Sequence, residues 1–109
     1  MIVAEFTRPD SDKLRVRVRG HSTYAPRGED VVCAAVSGIM YSLVGFLKGF
    51  RRDEILGVEI KSGHVDIVCS STCEELIKMI CVGLAQIALT YPEQVSVKNQ
   101  VWRWMFGKE

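Results

Sequence analysis

Apolar and polar residues alternate strictly in "KLRVRVRG". Leu14, Val16 and Val18 fall on one side, and Lys13, Arg15, Arg17 and Arg19 on the other. A period of two is the signature of a strand with one buried face. "MIVAEFTR" reads as a strand before it, and Pro9, Asp10, Ser11 and Asp12 between the two predict a hairpin. From Asp30 the period changes. Val32, Val36, Ile39, Met40, Leu43, Phe46 and Leu47 recur at spacings of three and four, which predicts an amphipathic helix. Asp30 stands where an N-cap is expected, and Gly49 where the helix is expected to stop.

"EILGVEIK" and "HVDIVCS" read as two more strands, joined by a tight turn at Ser62-Gly63. A second helix follows, with Leu76, Ile77, Ile80, Leu84, Ile87 and Ala88 as its apolar stripe. Ser71 with Glu74, and Thr72 with Glu75, have capping-box spacing, and Pro92 ends the helix. "QVSVKNQVWRW" reads as a last strand. The order is β-β-α-β-β-α-β. Its simplest solution is a two-layer α+β fold, with a mostly antiparallel sheet of about five strands carrying two main helices. Residues 1–109 are expected to form one domain.

Composition narrows the class. A hydrophobic fraction of 48% supplies a core, and 25% charged residues is an ordinary value. The formal net charge of +1 argues against bulk attraction to nucleic acid. No window reaches the ~18 continuous apolar residues of a membrane span, so no membrane is expected. The N-terminus lacks the basic start and apolar middle of a signal peptide. A cytoplasmic location is the expectation, and the four cysteines are then read as thiols. Neither a metal nor any other cofactor is expected.

The chemistry-bearing stretch is "RGHSTYAPRGEDVVCAAVSG", residues 19–38. If Asp30 is the N-cap, Cys33 is the third helical residue. Free N–H groups and the dipole at a helix start stabilise a thiolate. His21 ends the second strand. If that strand end and the helix start are neighbours, the loop between them can fold out and bring histidine and thiol together as base and nucleophile. The first-turn N–H groups near Cys33 could also hold an oxyanion. The structural reading stands beside this one: buried cysteines are common, and a histidine after a strand is usually a turn residue. Asp30 could bond the Cys33 N–H and so position the thiol. Ser37 lies one turn beyond Cys33, on the same face.

Two rival sites come from the same residue types. Cys73 starts the second helix, with His64 as its nearest histidine in sequence, but His64 has no long loop beside it. His64, Cys69, Cys73 and Cys81 supply four zinc-ligand types without close paired spacing. Cys73 and Cys81 would lie about 12 Å apart along a helix, too far for one ion. Arg15, Arg17 and Arg19 are read first as a solvated strand face, and otherwise as a surface for RNA phosphates or an acidic partner. "VWRWMF" reads as core or dimer-interface packing.

The stretch "GHSTYAPRGEDVVCAAVSG" resembles the ribosomal-processing cysteine proteases known as Prp, in its glycine–histidine pair, its glycine and aspartate one residue apart, and its cysteine followed by alanines and a serine. Those positions are Gly20, His21, Gly28, Asp30, Cys33, Ala34, Ala35 and Ser37. The resemblance implies a small α/β sandwich, usually a homodimer. It implies an endopeptidase that removes an N-terminal extension from a bacterial large-subunit ribosomal protein. The catalytic cysteine falls on Cys33 and the histidine on His21. The segment from Ser22 to Gly28 would admit the substrate peptide. Ser22 departs from the family, where alanine is commoner. The alternative is a non-enzymatic ribosome- or RNA-associated module that uses the Arg15–Arg19 face.

Overall fold

A computed structural model describes residues 1–21 and 30–103. The strands are β1 (Ile2–Thr7), β2 (Lys13–Arg19), β3 (Ile55–Lys61), β4 (His64–Ser70) and β5 (Val95–Asn99), and the helices are α1 (Val31–Phe50) and α2 (Glu74–Thr90). The sheet order is β3-β4-β2-β1-β5. β1 with β2, β2 with β4 and β3 with β4 are antiparallel, and β1 with β5 is parallel. The expected element order and the mostly antiparallel sheet are what the chain forms. The parallel pair follows from α2, because a helical connection carries the chain back to the sheet end where a hairpin would not.

Strand alternation decides the layers. Ile2, Ala4, Phe6, Leu14, Val16, Val18, Val65, Ile67, Cys69 and Val95 point to one face and are buried. Val32, Val36, Met40, Leu43 and Leu47 of α1, with Ile77, Ile80, Cys81 and Leu84 of α2, join them in one core. Both helices therefore cover the same face of the sheet. By length and hydropathy α1 passes for a membrane span, with a mean hydropathy of 1.8. The residues just named give it the buried stripe of a core helix.

The other face carries charge in cross-strand register. Glu5 lies opposite Arg17, and Arg17 opposite Asp66. Arg15 donates from Nε to Asp66 Oδ1 at 2.9 Å, and Arg19 donates to Glu5 at 3.2 Å. Arg17 lies 3.7 Å from Asp66. The Arg15 hydrogen bond, with the charges of Arg15 and Arg17, lowers the Asp66 carboxyl from its ordinary value against the opposing effect of burial.

Three element ends differ from the sequence expectation. Gly49 does not stop α1: the helix runs to Phe50, and Arg51, at φ −136°, leaves it while donating to the Leu47 carbonyl at 2.9 Å. A 3-10 turn, Ser71–Cys73, precedes α2, and its cap is Ser70, which accepts the Thr72 N–H at 3.2 Å. The two capping boxes expected at Ser71 and Thr72 are displaced by that turn. The last strand stops at Asn99, whose Oδ1 accepts the N–H groups of Val101 and Trp102 at 2.9 and 3.0 Å and turns the chain. Trp102 then packs near Phe6 and donates from Nε1 to Glu74 at 2.7 Å. Of "VWRWMF", Val101 and Trp102 are half-buried and pack against the core, while residues 104–106 lie outside the described residues.

Candidate active site

The site begins where β2 ends. Its last pairing with β4 sets Arg19 opposite His64, and Gly20 donates to the Gly63 carbonyl at 2.9 Å. Gly20 has φ +104°, where other residues are strained, and a Cβ there would lie 2.1 Å from the Met1 carbonyl oxygen. Only glycine fits this bend. His21 follows immediately, exposed, its carbonyl accepting the Met1 amino group at 2.8 Å. The start of β1 therefore holds the backbone from which His21 projects.

Across from it, Asp30 caps α1. It is 4% exposed, and its Oδ1 accepts the N–H groups of Val32 at 2.8 Å and Cys33 at 3.2 Å. Cys33 is the third residue of α1, as the spacing predicted. The Asp30 backbone carbonyl takes the Ala34 N–H at 3.1 Å. This corrects one expectation. The donors of Val32, Cys33 and Ala34 already have acceptors, so the first turn does not offer them to an oxyanion.

His21 and Cys33 line one cleft of about 80 Å³, together with Ser37 and Tyr41 of α1, Lys61 at the end of β3, Gly63 of the turn and His64 at the start of β4. That volume is far below the ~300 Å³ or more of a small-molecule pocket. It suits a group reaching in from a chain laid across the mouth. Ser22 and Gly28 lie outside the described residues. Gly20, His21, Asp30, Cys33 and Ser37 gather at this end of the sheet, with Asp30 behind the cleft rather than lining it.

The other cysteines are differently placed. Among the described residues none is in a disulfide, and Cys69, Cys73 and Cys81 are buried while Cys33 is half-buried. Burial pushes the Cys81 thiol up to about 11 and raises Cys69 as well. Cys73 is pushed up to about 12, first by burial and then by donating to Glu54 at 2.9 Å. A thiol that stays protonated and donates inward is not a nucleophile. Its rival partner His64 begins β4 while Cys73 follows its far end, on the order of 20 Å away by strand rise. His64 instead lies 3.3 Å from Glu59. Cys69 points into the core and His64 does not, so the four zinc-ligand types do not converge. The acid–histidine trio among the described residues is Glu59, His64 and Asp66. Arg15 and Arg17 already occupy Asp66, an arrangement that opposes a dication.

Sequence reasoning missed Lys61, Gly63 and Tyr41. The turn was legible as a turn. What brings it beside His21 is the β2–β4 register, which local pattern does not contain.

Comparison with known proteins points to one family. The family model described as cysteine protease Prp matches residues 1–96. The ribosomal processing cysteine protease Prp of Mycoplasma pneumoniae is 30% identical over 91 residues, covering 79% of this chain and 87% of that protein. The counterpart from Mycoplasma genitalium is 30% identical over 92 residues, covering 75% and 84%. The fold is similar to that of an essential ribosomal processing protease Prp from S. aureus, crystallised with a covalently linked product peptide. There the TM-score is 0.78 at 24% identity, over 92% of this chain and all of that one.

Proposed function

The chain belongs to the cysteine protease Prp family and is a cysteine protease, and from that premise we propose that Cys33 is its nucleophile and His21 its base. One observation carries this reading. Of the four cysteines, Cys33 is the one that is not buried, and it shares its cleft with His21 and with His64, the latter 3.3 Å from Glu59. In this mechanism His21 takes the Cys33 proton and the thiolate attacks the scissile carbonyl carbon. The tetrahedral intermediate collapses, breaking the C–N bond, and the leaving amine takes the proton back from His21. Water, deprotonated by His21, then hydrolyses the thioester and restores the thiol. Asp30 acts from behind by fixing the backbone of Cys33.

The substrate in this reading is a ribosomal protein precursor with an N-terminal extension, cut in the cytoplasm. A relative from S. aureus crystallised with a substrate peptide supports a peptide substrate. Homodimerisation belongs to the same proposal. Phe46 and Phe50 of α1 are exposed with their ring centroids 5.1 Å apart, an apolar pair of the kind interfaces cover. The RNA-module alternative is weakened by the outer face, where Arg15, Arg17 and Arg19 are each engaged by Asp66 or Glu5. The direct test is to incubate the protein with an extended large-subunit ribosomal protein and sequence the product N-terminus. A single cut that releases the extension supports the proposal. An intact precursor, with other ribosomal proteins or RNA bound instead, contradicts it.

A further inference from the structure

An exposed histidine at a strand end can turn its ring toward solvent as readily as toward a thiol, so a base in this position needs a support. Gly63 occupies the place where one is needed. It is the second residue of the β3–β4 turn, with φ +69°. A Cβ at Gly63 would lie 2.5 Å from His21 Nε2, 2.9 Å from Cε1 and 3.2 Å from Cδ2. Carbon pairs rest at roughly 3.5–4.0 Å, so all three approaches are overlaps. The imidazole therefore presents Nε2 and its two ring neighbours to the place a Gly63 side chain would take.

The sheet fixes this contact. The Arg19–His64 pairing and the Gly20 N–H to Gly63 carbonyl bond bring the turn and the histidine's backbone together from both sides. Two constraints then act on Gly63 and can be separated. Its φ favours glycine but is also open to asparagine. The ring where it stands overlaps any side chain, asparagine included, so a substitution must push it aside.

We propose that Gly63 is a positioning residue for His21, its missing side chain forming the seat that keeps the imidazole in the cleft with Cys33. The proposal rests on the reading of His21 as the base. The seat itself can be observed without that reading, by nuclear Overhauser contacts between the His21 ring protons and the Gly63 α-protons in the unaltered protein. The functional half is read on Gly63→Asn, which φ tolerates. Displacement of a reacting group by about an ångström lowers turnover about 10²-fold. Gly63→Asn is expected to lose kcat on that scale with KM little changed and with the His21 ring resonances shifted. Absent Overhauser contacts overturn the seat. Contacts present with kcat retained in Gly63→Asn overturn its role. If Gly63→Asn does not fold, the Overhauser contacts decide the seat, and kcat with the His21 ring resonances of Gly63→Ala decides its role. Full activity of His21→Ala removes the base itself, a failure distinct from either.

Discussion

The Asp30 carboxylate accepts the backbone N–H of Cys33 at 3.2 Å, so the cap of α1 and the position of the thiol are one interaction. Asp30→Ala is expected to lose about 1 kcal/mol of stability, the usual cost of removing such a cap. It should lower kcat as well. Asp30→Asn keeps an oxygen acceptor and should recover most of both. Chemical denaturation beside peptide cleavage measures the pair. An active, fully stable Asp30→Ala contradicts the arrangement.

Burial separates the four thiols. Iodoacetamide near neutral pH is expected to modify the native protein at Cys33 first, with Cys69, Cys73 and Cys81 reacting only on unfolding. Peptide mapping by mass spectrometry locates the label. Native labelling at Cys73 ahead of Cys33 would contradict the burial pattern.

Glu54 contributes to the acid limb of stability, as Asp66 does. The Arg51 hydrogen bond, followed by those from Cys73 and Thr72, holds its carboxyl at about 2, against an ordinary 4.5. Because the folded value is depressed, the unfolded chain binds the proton first as pH falls. This contribution is therefore complete above about 4.5 and is lost as pH falls toward about 2. Thermal melts of the protein and Glu54→Gln should differ most above that window and converge below it. Parallel curves throughout would count against the linkage.

On the outer face, Arg15→Met breaks the Arg15–Asp66 pair. Partial exposure of Arg15 limits the expected loss to about 1 kcal/mol. Cleavage by the folded variant should be unchanged, since this face lies across the sheet from the helices. A loss of cleavage without unfolding would show that the arginine face takes part in recognition.

The strands and helices were legible because each buries one face, so period two in "KLRVRVRG" and period 3.6 from Val32 to Leu47 translate directly into layers. Cys33 was legible for the same local reason: a cap at Asp30 fixes the third residue after it. Element ends were harder. Gly49 has no positive φ here and continues the helix, whereas Ser70 caps one residue before the predicted boxes, because a 3-10 turn intervenes. The neighbours of His21 were not legible. Gly63 is 42 positions away by number (63 − 21) and arrives only through the β2–β4 register. The rival Cys73 was removed by tertiary facts alone, its burial and its bond to Glu54.

The central claim is that Cys33 does the chemistry. The measurement is the initial rate of cleavage of an extended ribosomal protein by the unaltered protein, Cys33→Ala and Cys73→Ala, each shown to be folded. The account predicts no detectable cleavage by Cys33→Ala and a near-unaltered rate for Cys73→Ala. Cleavage that survives in Cys33→Ala and disappears in folded Cys73→Ala would contradict it.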